Sequence, residues 1–354
     1  MSVGIDNKTR LEILRLIAES DRAIGAETLT GRLALRGINL TVDAVRYHLR
    51  VLDEQGFTSR LSNQGRVLTD AGSGELERSL VDTRMRYGLA RHESLAQQVT
   101  FDPAKSDGKV ASTAVTFPVE QLTTVLKSAA KACHAGLCIS DRGMIVRAGE
   151  RFGSMIVPNG KAGLAMVSTS TIDGFLLSRG LLFRPIFGGI VEVAAWRPYR
   201  FIDLVDYGRA SRDPVELLIR PGSTRINSII ERGHGLLMAD VREMVGVARD
   251  KVIGLLGEVK SCDMGGVLMV GQVGQPILGV PVQRYTFGVA MVAGVNPLLA
   301  SYEIGVLADF MLNETLVDYS SLQPIDTLLP ELDGDGVAVS GKLLCSTPIP
   351  EPVS

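Results

Sequence analysis

Cysteine, histidine and aromatic residues are scarce in this sequence. Its 354 residues include 4 cysteines, 4 histidines and 1 tryptophan, and aromatic residues make up 5% of the chain. So few cysteines, with no Cys-x-x-Cys pair, exclude a disulfide-stapled secreted scaffold and favour a reducing compartment. No apolar segment follows a basic one near the beginning of the sequence, so no signal peptide is predicted. We therefore expect a cytoplasmic protein.

An excess of charge of either sign is also missing. Lys and Arg total 37 against 39 for Asp and Glu, which gives a formal net charge of -2. This balance excludes a uniformly basic nucleic-acid-binding protein and an acidic disordered tail. Residues 264–283 and 285–302 carry no charge, and each segment is long enough to cross a bilayer. Their prolines and repeated glycines destabilise helices, so the sequence predicts buried strands there and no membrane partner.

Signatures of catalysis are missing as well. The histidines stand outside any His-Glu-x-x-His or Gly-x-Ser-x-Gly motif. Cys133 and Cys138 fit small core residues better than metal ligands, because no second pair accompanies them. We predict no enzyme activity, no metal and no cofactor. An enzyme with an unrecognised site stays as an alternative, which a cleft holding a His–Asp pair or two close carboxylates would indicate.

Residues 1–70 form a separately recognisable unit. Apolar positions recur at helical spacing in residues 7–20, 24–36 and 41–55, and Gly37 and Gly56 follow the second and third segments. Two short strands, 57–61 and 66–68, then flank a glycine-containing turn. Three helices followed by a hairpin are typical of a winged helix-turn-helix domain.

The third helix has the composition of a DNA-recognition helix. Its apolar residues lie on one face, which leaves polar side chains on the other. Arginine suits guanine edges and phosphates, and hydroxyl groups suit phosphate oxygens. We predict that this face and the hairpin tip bind double-stranded DNA through Thr41, Asp43, Arg46, Tyr47, Arg50, Arg60, Asn63 and Arg66. Acidic residues in the same unit keep open the alternative that it contacts proteins only.

The rest of the chain is predicted as a connector (71–105, with a helix at 75–89), a larger domain (106–322) and a C-terminal tail (323–354). Glycine is abundant, at 38 residues or about 11% where about 7% is usual, and is assigned mainly to the larger domain. Predicted there are strands at 110–116, 137–139, 144–146, 155–157 and 162–168, and helices at 119–136 and 241–259.

The larger domain contains an internal sequence similarity. Residues 163–167 resemble 266–270, and an Arg-x-x-Phe-Gly motif follows each of them, at 184–188 and 284–288. Two similar halves would pack as a pseudo-duplicated α/β unit with a ligand cleft between them. The predicted fold is therefore α/β (α+β), with an N-terminal winged helix and a pseudo-duplicated, glycine-rich regulatory domain.

A family resemblance rests on residues 163–189, which include the motifs at 170–174 and 187–189. It also rests on residues 200–204, 213–214 and 296–297, and on 45–49 and 65–69 in the first unit. These segments resemble the NrpR repressors of nitrogen-assimilation genes in methanogenic archaea, across most of residues 6–320. The resemblance implies a homodimer on palindromic operator DNA that is released by 2-oxoglutarate. The resemblance is less specific for the effector and for the target genes. The residues alone do not decide whether ligand binding releases the protein from DNA or recruits it to DNA.

A small dianion such as 2-oxoglutarate needs a cation or clustered backbone amides, together with hydroxyl groups. Hydroxyl residues, glycines and two arginines near glycine-rich turns match this need. The predicted effector-binding residues are Thr169, Ser170, Thr171, Arg184, Gly188, Gly189 and Arg284. The competing interpretation makes the hydroxyl run an exposed turn and the glycines bulges or close strand contacts.

The sequence thus predicts a ligand-responsive transcription regulator, a repressor that binds operator DNA as a homodimer. Its predicted partners are DNA, a second copy and a small anionic metabolite. The alternative is a winged helix that binds RNA or protein, attached to a dimerisation scaffold that senses nothing.

Overall fold

The computed structural model describes residues 3–20, 23–61, 65–79, 87–153, 155–210, 212–306, 309–329 and 339–347. Contacts divide the chain into two compact units, Met1–Arg84 and Met85–Ser354. The division falls inside the predicted connector, so the first part of that segment packs with the winged helix and the second part with the larger domain.

The first unit is a winged helix, as predicted. Its elements in chain order are α1 (Val3–Ala18), α2 (Ala26–Leu35), α3 (Val42–Glu54), β1 (Thr58–Arg60), β2 (Arg66–Leu68) and α4 (Asp70–Ser79). The side chain of Thr41 caps α3 by accepting a hydrogen bond from the Ala44 amide at 3.2 Å. Leu29, Leu33 and Leu49 lie in a core that α1, α2 and α3 share. Helical periodicity therefore places the opposite face of α3 in solvent.

The second unit contains two five-stranded antiparallel sheets and the helices that pack on them. Its elements are α5 (Tyr87–Gln98), β3 (Lys109–Pro118), α6 (Leu122–His134), β4 (Arg142–Val146), β5 (Arg151–Phe152), β6 (Met155–Ile156), β7 (Lys161–Val167), α7 (Ser170–Ser178), β8 (Phe183–Ala194), β9 (Arg197–Asp206), α8 (Pro214–Leu218), α9 (Ile226–Arg232), β10 (Gly235–Val245), α10 (Arg249–Lys260), β11 (Val267–Val270), β12 (Thr286–Val292), α11 (Asn296–Glu303), β13 (Asp309–Asp318), β14 (Gln323–Pro324) and α12 (Ile325–Leu328). The strand orders are β13-β3-β7-β4-β14 and β11-β12-β10-β8-β9.

The second unit repeats one order of elements. The series β3, α6, β4, β7, α7, β8 has its counterpart in β10, α10, β11, β12, α11, β13. Each series gives its last strand to the other sheet, because β8 pairs with β10 and β13 pairs with β3. Helices cross over as well, since α6 packs against α11. This exchange ties the two halves into a single core.

Two details of the predicted repeat were wrong. The residues that match 163–167 by position in the fold are 288–292 on β12, not 266–270 on β11. The predicted helix 241–259 begins only at Arg249, because residues 241–244 pair with β8 on one side and β12 on the other. A short apolar segment rich in valine does not distinguish a buried strand from a helix, and here the sheet pairing decides.

The two uncharged segments are not membrane helices. They form β11, β12, α11 and the turns beside them, and no helix among the described residues combines the length and apolarity needed to cross a bilayer. The described part of the predicted tail packs on the second unit. The Leu343 amide donates to the Ala135 carbonyl at 2.8 Å, and the Ser346 amide donates to that of Leu268 at 2.9 Å.

Gly174 lets α7 pack directly against α5. A methyl group at this position would overlap the carbonyl oxygen of Ala96 and the side chain of Val99. We expect Gly174→Ala to lower the free energy of unfolding by about 1–3 kcal/mol, the usual cost of overpacking. Gly254 is the matched control, because it lies within α10 with nothing in reach of an added methyl group.

Gly254→Ala should raise stability by about 0.5–1 kcal/mol. Urea unfolding followed by the fluorescence of Trp196, the single tryptophan, reports on the second unit alone. Equal stability of the two variants would contradict the close packing of α5 on α7.

Candidate functional site

The predicted recognition face of α3 is open to solvent. Val45, Leu49 and Leu52 are buried, and the side chains on the other side of the helix are exposed. These exposed residues are Thr41, Asp43, Arg46, Tyr47 and Arg50. The face therefore presents two guanidinium groups and two hydroxyl groups on the third helix of a winged-helix unit, which is where such domains contact DNA.

Arg46 contacts acidic neighbours on this face. Its Nη1 lies 2.9 Å from Asp43 Oδ1, and its Nη2 lies 4.0 Å from Glu27 Oε1. These pairs are exposed, and exposed ion pairs contribute little to stability. Arg46 can therefore exchange them for a phosphate or a base edge at small cost, with Asp43 holding its side chain in place until then.

The hairpin differs from the prediction in one residue. Arg60 is exposed, but Arg66 is half-buried and donates from Nε to Asp53 Oδ2 at 2.8 Å. Thr58 donates to the other oxygen of that carboxylate at 2.5 Å. The predicted DNA contact of Arg66 is corrected accordingly, because its guanidinium joins the hairpin to the end of α3. Asn63 lies outside the described residues.

In the second unit, the predicted effector-binding hydroxyl run is buried and fully used within the fold. Ser168 donates to Glu314, and Ser170 donates to the same carboxylate oxygen at 2.7 Å. Thr169 donates to Asp240 at 3.3 Å, and Thr171 donates to a β3 carbonyl at 2.9 Å. The run is neither an open anion site nor an exposed turn, because strand β7 delivers it into the interior at the start of α7.

Asp173 and Arg242 are the centre of this buried cluster. Arg242 Nε and Nη2 lie 2.6 and 2.8 Å from the two oxygens of Asp173. His92 Nε2 lies 2.7 Å from Asp173, and its Nδ1 lies 3.0 Å from the Ser170 hydroxyl. Tyr207 donates to Asp240 at 3.0 Å. The charged side chains of the cluster are thus buried, and they form hydrogen bonds with one another in place of water.

The charged groups of the cluster shift one another's pKa values. Burial alone raises the pKa of Asp173, but Arg242 and the hydrogen bond from His92 outweigh it, so the pKa is lowered. For His92, burial lowers the pKa, yet the hydrogen bond to Asp173 and its charge raise it overall. Burial raises the pKa of Asp240 despite the charge of Arg242. Burial, Asp240 and Glu314 raise the pKa of Asp213 to about 7.

The Ser170–His92–Asp173 series has the residue types of a hydrolase triad, but it does not form a nucleophilic site. Ser170 and Asp173 are 0% exposed. The Ser170 hydroxyl also donates to Glu314, and Arg242 holds both oxygens of Asp173. A nucleophile needs an accessible oxygen and a base that is free to take its proton.

The two predicted glycines serve close packing. A methyl group at Gly188 would lie 2.6 Å from the side chain of Pro214, and one at Gly189 would lie 2.5 Å from the Asp203 carbonyl oxygen. The first contact is with α8, which packs on β8, and the second is with β9, which pairs with β8 in the sheet. This matches the competing interpretation of close strand contacts, although Gly188 does lie beside Asp240.

The two predicted arginines lie away from the buried cluster, and one of them pairs with a second acidic residue. Arg184 forms an ion pair with Glu243, whose carboxylate also accepts from the Gln283 amide at 2.6 Å and the Thr286 hydroxyl at 2.5 Å. Arg284 is exposed and lies over the Tyr285 ring at 5.5 Å. Because Glu243 neighbours Arg242 on β10, its side chain points to the other face of the sheet. The arginines and the hydroxyl run therefore occupy different places.

Seven residues of the buried cluster were absent from the predicted effector-binding set: His92, Asp173, Tyr207, Asp213, Asp240, Arg242 and Glu314. They come from α5, α7, β10, β13 and the segment between β9 and α8. The available signal was the charged pair Asp240 and Arg242, two residues apart within the largely apolar segment 235–245. Once that segment is recognised as a strand, both side chains lie on one face and require buried partners.

Asp213 gives the second unit a pH-dependent stability. Its pKa of about 7 exceeds the usual 3.8, so its contribution is full below the unfolded pKa and is lost as pH rises through 7. In the wild type the Val215 amide donates to Asp213 Oδ1 at 2.8 Å, and Asp213→Asn keeps an oxygen that can accept this hydrogen bond. We expect the stability of the variant relative to that of the wild type to be greater at pH 8 than at pH 5, in urea unfolding followed by Trp196.

Asp206→Asn is the matched control, because Asp206 accepts from the Gly208 amide at 2.7 Å in a similar turn. That variant should follow the wild-type pH dependence. Parallel pH curves for Asp213→Asn and the wild type would contradict the assignment to Asp213.

The fold and these sites define a winged-helix regulator with a two-sheet second domain. The family model of the NrpR regulatory domains NRD1 and 2 matches residues 85–324, and the model of the ribonuclease R winged-helix domain matches residues 11–76. The chain belongs to the NrpR family, as the resemblance predicted.

Curated relatives support this assignment. The global nitrogen regulator NrpRI of Methanosarcina mazei is 34% identical over 315 residues, which cover 89% of this chain and 97% of the relative. NrpR of Methanococcus maripaludis is 29% identical over 321 residues, which cover 90% of this chain. The match spans 56% of that relative and 54% of NrpR of Methanocaldococcus jannaschii, so the chain spans about half the length of these two.

A solved structure has the same fold. A nitrogen repressor-like protein from Methanococcus jannaschii superimposes with a TM-score of 0.57 at 24% identity, covering 67% of this chain and 97% of that one. The prediction of a regulator instead of an enzyme is confirmed, since the relatives are named as regulators. The cytoplasmic location stays a prediction.

Proposed function

We propose that this chain represses nitrogen-related genes by binding palindromic operator DNA as a homodimer, under the control of a small anionic metabolite. 2-Oxoglutarate is the first candidate for that metabolite. The observation that carries the proposal is the exposed face of α3, where Arg46, Tyr47 and Arg50 stand clear of the core. The relatives named as global nitrogen regulators support the nitrogen-related role.

A homodimer would match the twofold symmetry of a palindromic operator. One winged helix reads a few base pairs, and two copies related by a twofold axis read the two halves of a palindrome. Ligand control requires that the effector bind the DNA-competent and DNA-incompetent arrangements unequally. Of the predicted effector-binding residues, Arg184 and Arg284 are the ones exposed to solvent. Whether the effector releases the protein from DNA or recruits it to DNA is decided by the experiment described below.

A second candidate function is RNA binding by the winged helix, because residues 11–76 match the winged-helix domain of a ribonuclease. Selection of bound fragments from genomic DNA and from total RNA, with the full chain, separates the two. We expect enrichment of palindromic DNA upstream of nitrogen-related genes. Enrichment of RNA alone would replace the first function with the second. Repeating the DNA selection with and without 2-oxoglutarate measures the direction of control.

A further inference from the structure

The exposed face of α3 carries an acidic residue where the phosphates of DNA would repel it. Asp43 lies in the first turn of α3, three residues before Arg46, and its side chain is 89% exposed. A carboxylate at this place weakens binding to DNA of any sequence, because contacts with the phosphate backbone supply much of the affinity. The presence of Asp43 on a DNA-binding face therefore calls for a role that depends on the base sequence.

Asp43 and Arg46 form a pair that is already arranged for recognition. Arg46 Nη1 donates to Asp43 Oδ1 at 2.9 Å, whereas the other nitrogen, Nη2, has the longer contact of 4.0 Å with Glu27. A guanidinium has five N–H groups in a fixed fork, so Arg46 can keep Asp43 and still present donors to a base. The N-terminal residues of a recognition helix are the ones that contact base edges in the major groove.

A G·C base pair presents the complementary groups in matching order. In the major groove, guanine N7 and O6 are acceptors and cytosine N4 is a donor. Because O6 and N4 share a Watson–Crick hydrogen bond, they lie about 2.9 Å apart, the ordinary N–H···O distance. The Arg46 nitrogen and the Asp43 oxygen have the same spacing. The guanidinium can therefore face guanine while the carboxylate faces cytosine.

We propose that Asp43 and Arg46 act as one unit that reads a single G·C pair in each operator half-site. Arg46 donates to guanine N7 and O6, and Asp43 accepts from cytosine N4 while it orients the guanidinium. This rests on the proposed function, in which α3 binds palindromic DNA. Asp43 is then a determinant of specificity, because it rejects any base pair that places an acceptor opposite its carboxylate.

The unit distinguishes all four base pairs at that position. A C·G pair reverses the order, so Arg46 meets the N4 donor and Asp43 meets an acceptor. An A·T pair places the adenine N6 donor against Arg46 and the thymine O4 acceptor against Asp43. A T·A pair keeps the order of acceptor and donor but offers Arg46 one acceptor instead of two. The expected preference is G·C first and T·A second, with the other two pairs well below.

Binding to a set of altered operators tests this readout. The operator is the one that the selection from genomic DNA provides, and each base pair is replaced in both half-sites by the other three. Fluorescence anisotropy gives the affinity of the full chain for each duplex. At one position we expect the wild type to prefer G·C over C·G at least about tenfold, and Asp43→Ala to lose most of that preference. The affinity of Asp43→Ala for DNA of unrelated sequence should not fall.

Three further variants separate base reading from charge and from folding, and circular dichroism shows whether each one folds. Glu54→Ala removes the same charge from an exposed position in the last turn of α3 and should leave every base preference unchanged. Arg50→Ala should weaken binding without changing the preference at the Asp43 position. Asp43→Ala/Arg46→Ala should lose no more of that preference than Arg46→Ala alone, because side chains that act as one unit are not additive.

The outcomes separate this inference from the proposed function. If folded Asp43→Ala keeps every base preference while Arg46→Ala loses one, Asp43 takes no part in the readout, and the DNA-binding regulator still stands. An equal loss of affinity for all sequences in Asp43→Ala would assign the residue to helix stability and would also overturn the inference. If the full chain selects no DNA sequence, the proposed function fails and the inference fails with it.

Discussion

Arg46→Ala/Arg50→Ala should lower the affinity of the full chain for operator DNA at least about tenfold. Each direct contact to a base edge or phosphate is worth about 1–3 kcal/mol, and both side chains project from the exposed face of α3. Lost phosphate contacts also release fewer counterions, at a slope of about 0.9 per contact. The plot of log affinity against log salt should therefore become flatter by up to about two. Fluorescence anisotropy over a range of salt concentrations measures both effects.

The control removes the same charge elsewhere. Arg147 and Arg151 are exposed residues of the second unit, and Arg147→Ala/Arg151→Ala should leave operator affinity and salt slope near wild type. Loss of binding in both double variants would indicate a net-charge effect. Wild-type binding by a folded Arg46→Ala/Arg50→Ala variant would remove α3 from the interface.

The second large effect is expected from the buried ion pair. Arg242→Ala leaves Asp173 buried at 0% exposure without its main counter-charge, and breaking such a pair costs about 3–5 kcal/mol. Asp173→Ala should cost a similar amount, because it leaves Arg242 unpaired. Urea unfolding followed by Trp196 fluorescence measures the loss in the second unit.

Two comparisons make this result specific. The neutral double variant Asp173→Asn/Arg242→Gln should recover part of the loss, because no unpaired charge stays buried. Arg179→Ala removes one partner of an exposed pair with Glu258, 3.9 Å apart, and should change stability by no more than about 1 kcal/mol. If Arg242→Ala unfolds at the wild-type urea concentration, the cluster does not hold the second unit together.

The winged helix was predictable because its determinants are local. A cap at Thr41, an apolar stripe through Val45 and Leu49, and a glycine after the second and the third helix all act within one or two turns. The exposed face of α3 followed directly from that periodicity. The hydrogen bond of Arg66 to Asp53 could not be predicted in this way, because the two residues are 13 positions apart in the sequence.

The second unit was predictable only in part. Its strand-and-helix character and its internal duplication are visible in the sequence, but the strand exchange is not. Alternation and apolar runs identify strands without saying which strand lies beside which. The predicted match of 163–167 to 266–270 rested on similar amino acids. By position in the fold, residues 163–167 correspond to 288–292, on the third strand of the second half.

The sequence by itself determined the class of the protein, the winged helix and the face of α3 that meets solvent, since short-range periodicity and capping carry that information. Only the tertiary structure decided where charge is buried. His92, Asp173, Asp240, Arg242 and Glu314 come together because β8 and β13 each leave their own half to complete the other sheet. Contacts between such distant segments depend on strand pairing and on the high cost of an unpaired buried charge, neither of which a local pattern records.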